Sequence, residues 1–302
     1  MTAAPASQSP SHALAPEHNQ NTKISLRAVT MDFNVRSVKG QSPATTLRAL
    51  DGVSLDVRAG EFVSLVGPSG SGKSTLLDLL GGLTSPTSGE VLVDGRPVTG
   101  AGLDRAIVFQ QYALFPWRTA RANVEFGLEA QGLRRRERVA RAREFLELVG
   151  LSGFEDRYPH ELSGGMKQRV AIARSLAYDP DILLMDEPFA ALDAQTRELL
   201  QDELLRIWQA TRKTVVFITH GIDEAIYLGQ RVAVLSPRPG RITHLVHVDL
   251  GERAAGEDLR SAAAFVQYRH QIWSYLHHEV QHAPGSETSN TVAGLDGQGG
   301  AA

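Results

Sequence analysis

The sequence contains no cysteine, which removes disulfides, thiol nucleophiles and cysteine metal sites together. It also lacks any unbroken apolar run near the roughly 20 residues that a membrane-spanning helix needs; runs such as Ile182 to Met185 and Val215 to Ile218 are far shorter. The opening stretch, Met1 to Gln20, has neither the basic start nor the continuous apolar segment of a secretory signal. These absences predict a chain that does not cross a bilayer and stays in the cytoplasm. A positive field is missing too. Lysines and arginines number 31 against 34 aspartates and glutamates, a net charge of −3, so no bulk attraction to nucleic acid is expected.

What is present is an ordinary folding composition, 42% hydrophobic and 22% charged, in 302 residues. At about 100–200 residues per domain, that length holds one large domain or two modest ones. Residues 1–22 and 283–302 are rich in small and polar residues with little to bury, and are expected to be disordered tails. Between them, Ile24 to Phe33 and Leu47 to Val57 alternate apolar and polar residues, and Asp94-Gly95 after Glu90 to Val93 reads as a tight turn, which together predict an antiparallel sheet. Four later segments, Phe62 to Val66, Ile182 to Met185, Val215 to Ile218 and Val232 to Leu235, are continuously apolar and alternate with helical segments, the pattern of a parallel sheet buried on both faces. From Asn123 to Ser175 no strand signal occurs, while Val139, Ala142, Phe145, Leu146 and Val149 fall at helical spacing. An all-helical insertion is expected there. No repeat at periods of 20 to 50 residues is evident.

Gly67-Pro68-Ser69-Gly70-Ser71-Gly72-Lys73-Ser74 matches G-x-x-x-x-G-K-[ST], directly after the apolar strand Phe62 to Val66 and before the helical stretch Ser74 to Leu80. Glycines allow the backbone to wrap phosphates with its N–H groups pointing inward, at the positive end of a helix. Lys73 is expected to reach the β and γ phosphates, Ser74 to ligate Mg²⁺, and Thr75 to continue the phosphate contact. A single such loop implies one nucleotide-binding unit. Ile182 to Glu187 is an apolar strand that delivers two acids, Asp186 and Glu187, at its carboxyl end. Ligands of open α/β sheets sit at that end. Asp186 suits the Mg²⁺ shell, and Glu187 suits a base that polarises the attacking water.

Leu162-Ser163-Gly164-Gly165-Met166-Lys167-Gln168 opens the helical run Val170 to Leu176. It resembles the LSGGQ signature of ABC ATPases, with Met166 in the usual glutamine position and Gln168 two residues later. Ser163 with the N–H groups of Gly164 and Gly165 at a helix N-terminus reads either as an anion site or as a simple N-cap. The resemblance spans roughly residues 24 to 250 and implies an α/β, P-loop NTPase core, a mostly parallel sheet flanked by helices. To this it adds an N-terminal antiparallel β subdomain and an inserted α-helical subdomain. The expected division is an ATPase domain over 23–250, with the helical insertion at about 112–178, then a helical extension over 251–282. The resemblance further implies ATP and Mg²⁺ as cofactors. It implies that Gln110 is the glutamine touching metal or water, that Asp193 belongs to the loop lining the subunit contact, and that His220 is the switch histidine at the γ phosphate. Phe33 is implied to stack on adenine. Two copies are implied to bind head to tail, so that Ser163 and Gly165 of one complete the ATP site of the other.

Gln111 to Trp117 is an aromatic cluster resembling the importer version of the surface that receives a cytoplasmic helix of the membrane partner. The stretches Asp186 to Arg197 and Ser236 to Ile242 resemble the nitrate, sulfonate and taurine importers. That likeness implies integral-membrane permease partners, an external solute-binding protein acting indirectly, and a peripheral location at the cytoplasmic face of the membrane. Gly221 stands where an aspartate is often found. The run Arg134, Arg135, Arg136, Arg138, Arg141 and Arg143, interleaved with Glu137 and Glu144, reads as a solvated helix face, and His277, His278 and His282 lack an acidic ligand set. The rival reading is a soluble ABC ATPase acting on nucleic acid in repair or translation.

Overall fold

A computed structural model describes residues 21–35, 45–251 and 259–281. Most of the tails expected at the two ends, and His282, therefore lie outside the described residues. Strand β1 (Thr22–Val35) starts two residues before Ile24, the start of the expected alternating stretch, because Asn21 O accepts a hydrogen bond from Ala59 N at 2.9 Å and Thr22 pairs with Arg58.

β1 pairs antiparallel with β2 (Thr45–Arg58) on one side and β4 (Ser88–Val93) on the other, and a short β5 (Arg96–Pro97) closes a four-stranded sheet in the order β2-β1-β4-β5. The hairpin between β4 and β5 turns on Asp94 and Gly95, with φ of 49° and 72°. Two consecutive left-handed residues match the twist of the flanking strands, which is why Asp-Gly is favoured there. The β1–β2 ladder slips register at several points between Thr22 and Asp32. The strands nevertheless realign so that Phe33 faces Leu47.

The second sheet has six strands in the order β10-β9-β3-β8-β7-β6. β3 (Phe62–Val66), β6 (Arg105–Val108), β7 (Ile182–Asp186), β8 (Thr214–Ile218) and β9 (Arg231–Leu235) run parallel, and β10 (Ile242–His247) is an antiparallel edge. The period of two divides the continuously apolar strands between two cores. Phe62, Val66, Leu183, Met185, Val215 and Phe217 face one core with the helical region, while Val63, Leu65, Ile182, Leu184, Val216 and Ile218 face the other with the antiparallel sheet. Helix α1 (Lys73–Gly81) fills the space between the sheets with Leu76, Leu77, Leu79 and Leu80. Each such side chain contributes roughly 1.5–3 kcal/mol on burial.

The inserted region is helical. Helices α2 (Ala120–Ala130), α3 (Arg135–Leu148) and α4 (Gly164–Ala177) meet through Val124, Leu128, Ala142, Leu146, Val170 and Ala173. The arginine run sits on α3, where Arg138 lies 3.9 Å from both Glu125 and Glu129 and Arg141 donates to Ala177 O at 2.6 Å. Two of its six cations are thus tied into the fold rather than solvated. After β7 come α5 (Ala194–Thr211), α6 (Ile222–Leu228) and α7 (Ala263–Gln281), the last docking Phe265 and Ile272 into the same core. On α7 His277 stacks against Trp273 at 4.8 Å, and among the described residues no cluster of His, Asp or Glu could hold a metal. No described helix is long and apolar enough to cross a membrane.

At the amino edge of the parallel sheet, Arg231 Nη1 donates to Glu61 Oε1 at 3.0 Å and to Asp56 O at 3.0 Å, with both side chains less than a tenth exposed. Removing one partner would strand a buried charge. Glu61→Ala is therefore expected to lower unfolding free energy by about 3–5 kcal/mol, measured by urea denaturation.

Candidate functional site: a phosphate-binding cleft

β3 ends at Val66, and the next six residues form a loop because two of its glycines, Gly70 and Gly72, sit at φ 77° and 86°. At Gly72 the backbone also presses on its surroundings: a Cβ there would lie 2.6 Å from Leu50 Cδ2 and 2.9 Å from Ala49 O. No side chain caps the N-terminus of α1, so the first helical N–H groups stay available to an anion at the positive helix end. Lys73 folds back over the loop, donating to Gly67 O at 2.8 Å and Pro68 O at 2.9 Å. Burial pushes its ammonium below the usual lysine range, with Glu187 and Asp186 opposing that shift.

Facing the loop are the ends of β7 and β8. Asp186 closes β7, and its carboxyl is pushed up by burial, against a hydrogen bond from Ser74, with the Glu187 charge adding to the rise. Glu187 follows with φ 43°, a left-handed conformation that costs an L-residue energy and is held by Glu187 N donating to Ile218 O at 2.9 Å. Glu187 Oε2 lies 3.1 Å from His220 Nδ1, beyond the end of β8. His220 is 65% exposed, so this carboxylate is the main protein restraint on its ring.

Of the expected residues, Phe33, Ser69, Gly70, Gly72, Lys73, Ser74, Thr75, Glu187 and His220 line one cleft of about 630 Å³, whereas Gly67, Pro68, Ser71 and Asp186 stand behind that lining. Phe33, 41% exposed near the end of β1, forms its apolar wall with Leu47 and Ala49. Arg238 also lines it, a residue the sequence reading did not single out. Its signal was faint: a cation in the Ser236 to Ile242 turn, brought to the cleft by the chain returning after β9.

The other expected residues are placed elsewhere. Gln110 is exposed two residues after β6, the strand that pairs with β7, and so lies at the same carboxyl edge. Its loop bends through Tyr112 and Ala113 at φ 58° and 46°. Arg174 of α4 holds that bend, donating to Ala113 O at 2.6 Å and Tyr112 O at 3.1 Å. Ser163 caps α4, accepting from Met166 N at 3.3 Å, and Gly165 packs so closely on α5 that a Cβ would meet Thr196 Cγ2 at 2.7 Å. Asp193 caps α5 in turn, accepting from Thr196 N at 2.9 Å. Neither Ser163, Gly164, Gly165 nor Asp193 lines the cleft.

The family profile described as ABC transporter matches residues 50–190. An uncharacterized ABC transporter ATP-binding protein of Methanocaldococcus jannaschii is 56% identical over 78% of this chain and 86% of its own length. A nitrate import ATP-binding protein of Synechocystis is 50% identical over 81% and 91%, and a taurine import ATP-binding protein of Rhizobium johnstonii is 49% identical over 77% and 90%. Among solved structures, a dimeric ATP-binding cassette in a post-hydrolysis state with ADP and Pi superimposes with a TM-score of 0.65 at 36% identity, covering 75% of this chain and 99% of that one. The chain belongs to the ATP-binding subunits of ABC transporters. Its activity is that of the family, ATP hydrolysis coupled to transport.

Two outcomes follow for the cleft. Gly72→Ala places a Cβ against Leu50 and Ala49 O in a left-handed backbone, and is expected to weaken ATP binding at least tenfold in a titration with a fluorescent ATP analogue. Asp186 has a folded-state pKa raised above its usual 3.8, so its ionisation weakens the fold as pH rises through that raised value. Asp186→Asn should therefore raise the melting temperature of the nucleotide-free protein at pH 7, by differential scanning fluorimetry, while lowering ATP turnover.

Proposed function

We propose that the chain powers import of a small anion, such as nitrate, taurine or another sulfonate, with Glu187 as the base that activates the hydrolytic water. The supporting observation is the Glu187–His220 pair at 3.1 Å across the cleft from Lys73 and the uncapped start of α1. A phosphate chain lying on that loop would leave its terminal phosphorus toward the pair. Glu187 takes a proton from water as the water oxygen bonds to that phosphorus and the bond to the leaving ADP oxygen breaks. His220 donates to a γ-phosphoryl oxygen and, through Glu187, keeps the water in line.

The donor set fits Mg²⁺. The Ser74 hydroxyl and Asp186 carboxylate are hydrogen-bonded hard oxygen donors, and a carboxylate burdened by burial and by a neighbouring anion is stabilised by a cation. When bound, the ion supplies charge neutralisation between the phosphates. Gln110, from the neighbouring strand end, completes the proposed set.

Ser163, Gly164 and Gly165 sit outside their own chain's cleft, which supports the reading that they close the cleft of a second copy, with Asp193 at the seam. A dimeric state in two solved relatives supports it further. The exposed Trp117 (71%) and Phe126 (44%) flank Phe115, an apolar surface suited to a short helix from a permease. We place the subunit at the cytoplasmic face of the membrane, beside that permease and indirectly served by an external solute-binding protein. The nucleic-acid reading is set aside, since the relatives above are transport subunits and the charge balance is acidic.

Glu187→Gln should keep ATP affinity while lowering turnover by about 10²- to 10⁴-fold; a wild-type rate would remove Glu187 as the base. With Mg·ATP this variant should double its mass by light scattering. In the permease complex, nitrate, taurine or another sulfonate carried by its binding protein should stimulate turnover, and no stimulation by any of them would overturn the solute class.

A further inference from the structure

The switch histidine needs a fixed backbone, because its ring has little else to hold it. One carboxylate pins the residue before it, and that residue's hydroxyl in turn pins the residue after it. Thr219, 1% exposed, donates its hydroxyl to Glu224 Oε2 at 2.5 Å, and the same hydroxyl oxygen accepts from Gly221 N at 2.9 Å. Gly221 leans on that side chain, since a Cβ there would lie 3.2 Å from Glu224 Cγ. The second carboxylate oxygen, Oε1, lies 3.6 Å from Arg197 Nε. Arg197 in turn donates to Leu192 O at 2.9 Å, the residue before Asp193. Glu224 sits on α6, which α7 backs through Arg269 Nε donating to Asp223 Oδ1 at 2.6 Å.

Resting on the reading of His220 given above, we propose that Glu224 is a positioning residue for His220 and, through Arg197, ties the switch turn to the Leu192–Asp193 loop. The bond to Thr219 sets where the imidazole points. The Arg197 pairing makes that setting sensitive to anything that moves the 192–193 loop, such as contact with a second copy. Misplacement of a catalytic group by about 1 Å can cost on the order of 100-fold in rate, so a link touching no nucleotide can still control turnover.

The experiment measures ATP turnover, ATP KM and thermal stability of the full chain for Glu224→Ala, Glu224→Gln, Thr219→Val and His220→Ala. Glu224→Ala is expected to lower kcat at least tenfold with KM within about twofold of wild type. Glu224→Gln keeps an acceptor for the Thr219 hydroxyl and should recover most of that loss. Thr219→Val removes the hydroxyl at nearly constant shape, and its effect should not add to that of Glu224→Ala. A merely structural role would instead move stability and KM together, which would overturn the proposal. So would a wild-type kcat for Glu224→Ala when His220→Ala is inactive. Should Glu224→Ala fail to fold, Thr219→Val decides: a tenfold kcat loss supports the relay and a wild-type rate refutes it. A wild-type rate for His220→Ala would instead overturn the role given to the histidine itself.

Discussion

A strand buried on both faces can carry polar chemistry only beyond its end. Apart from Ser64, Thr214 and the terminal Asp186, β3, β7 and β8 are apolar because two cores claim their alternating side chains, and neither core tolerates an unpaired charge. Every reactive group therefore follows the last apolar residue: the glycine loop after Val66, the two acids after Met185, and Thr219-His220 after Ile218. Parallel pairing puts these three ends on one edge. The cleft is a consequence of that geometry, and the apolar wall supplied by Phe33 and Leu47 is the contribution of the other sheet.

Much of this was legible because the signals are local. Phe62 to Val66 followed by a glycine-lysine loop, and Ile182 to Met185 followed by two acids, each specify strand, turn and chemistry within about ten residues. The Asp94-Gly95 hairpin was readable for the same reason. What could not be read depends on tertiary return of the chain. Arg238 reaches the cleft only after β9 crosses back, and Glu224 acts on Thr219 through a turn whose geometry no spacing encodes. The bulges of β1, which decide that Phe33 meets Leu47, leave no clear mark in an alternating pattern. Interleaved acids make the arginine run on α3 look solvated in the sequence, yet Arg138 and Arg141 find partners on α2 and at the end of α4.

The helical region and the sheet share one apolar core, and a few directed polar contacts link that region to the sheet edge. Arg174 grips the carbonyls of Tyr112 and Ala113, so the helix that begins with Ser163 is attached by its far end to the loop carrying Gln110. Burial drives the Arg174 guanidinium below its usual range, with Tyr178 opposing the shift. A rotation of α4 would draw on the Gln110 loop, and the Asp193 cap beside Gly165 would feel the same motion.

The uncapped first turn of α1 leaves its amide dipoles with no internal acceptor, so a bound phosphate chain acts as the missing cap. Such a cradle recognises a diphosphate nearly as well as a triphosphate, because both fill the same amides. On the proposed reading of Glu187 and His220, telling fuel from spent product falls to the opposite wall, where a third phosphoryl would bridge the gap to the carboxylate and imidazole. Grip and discrimination are thereby divided between two sides of one cleft.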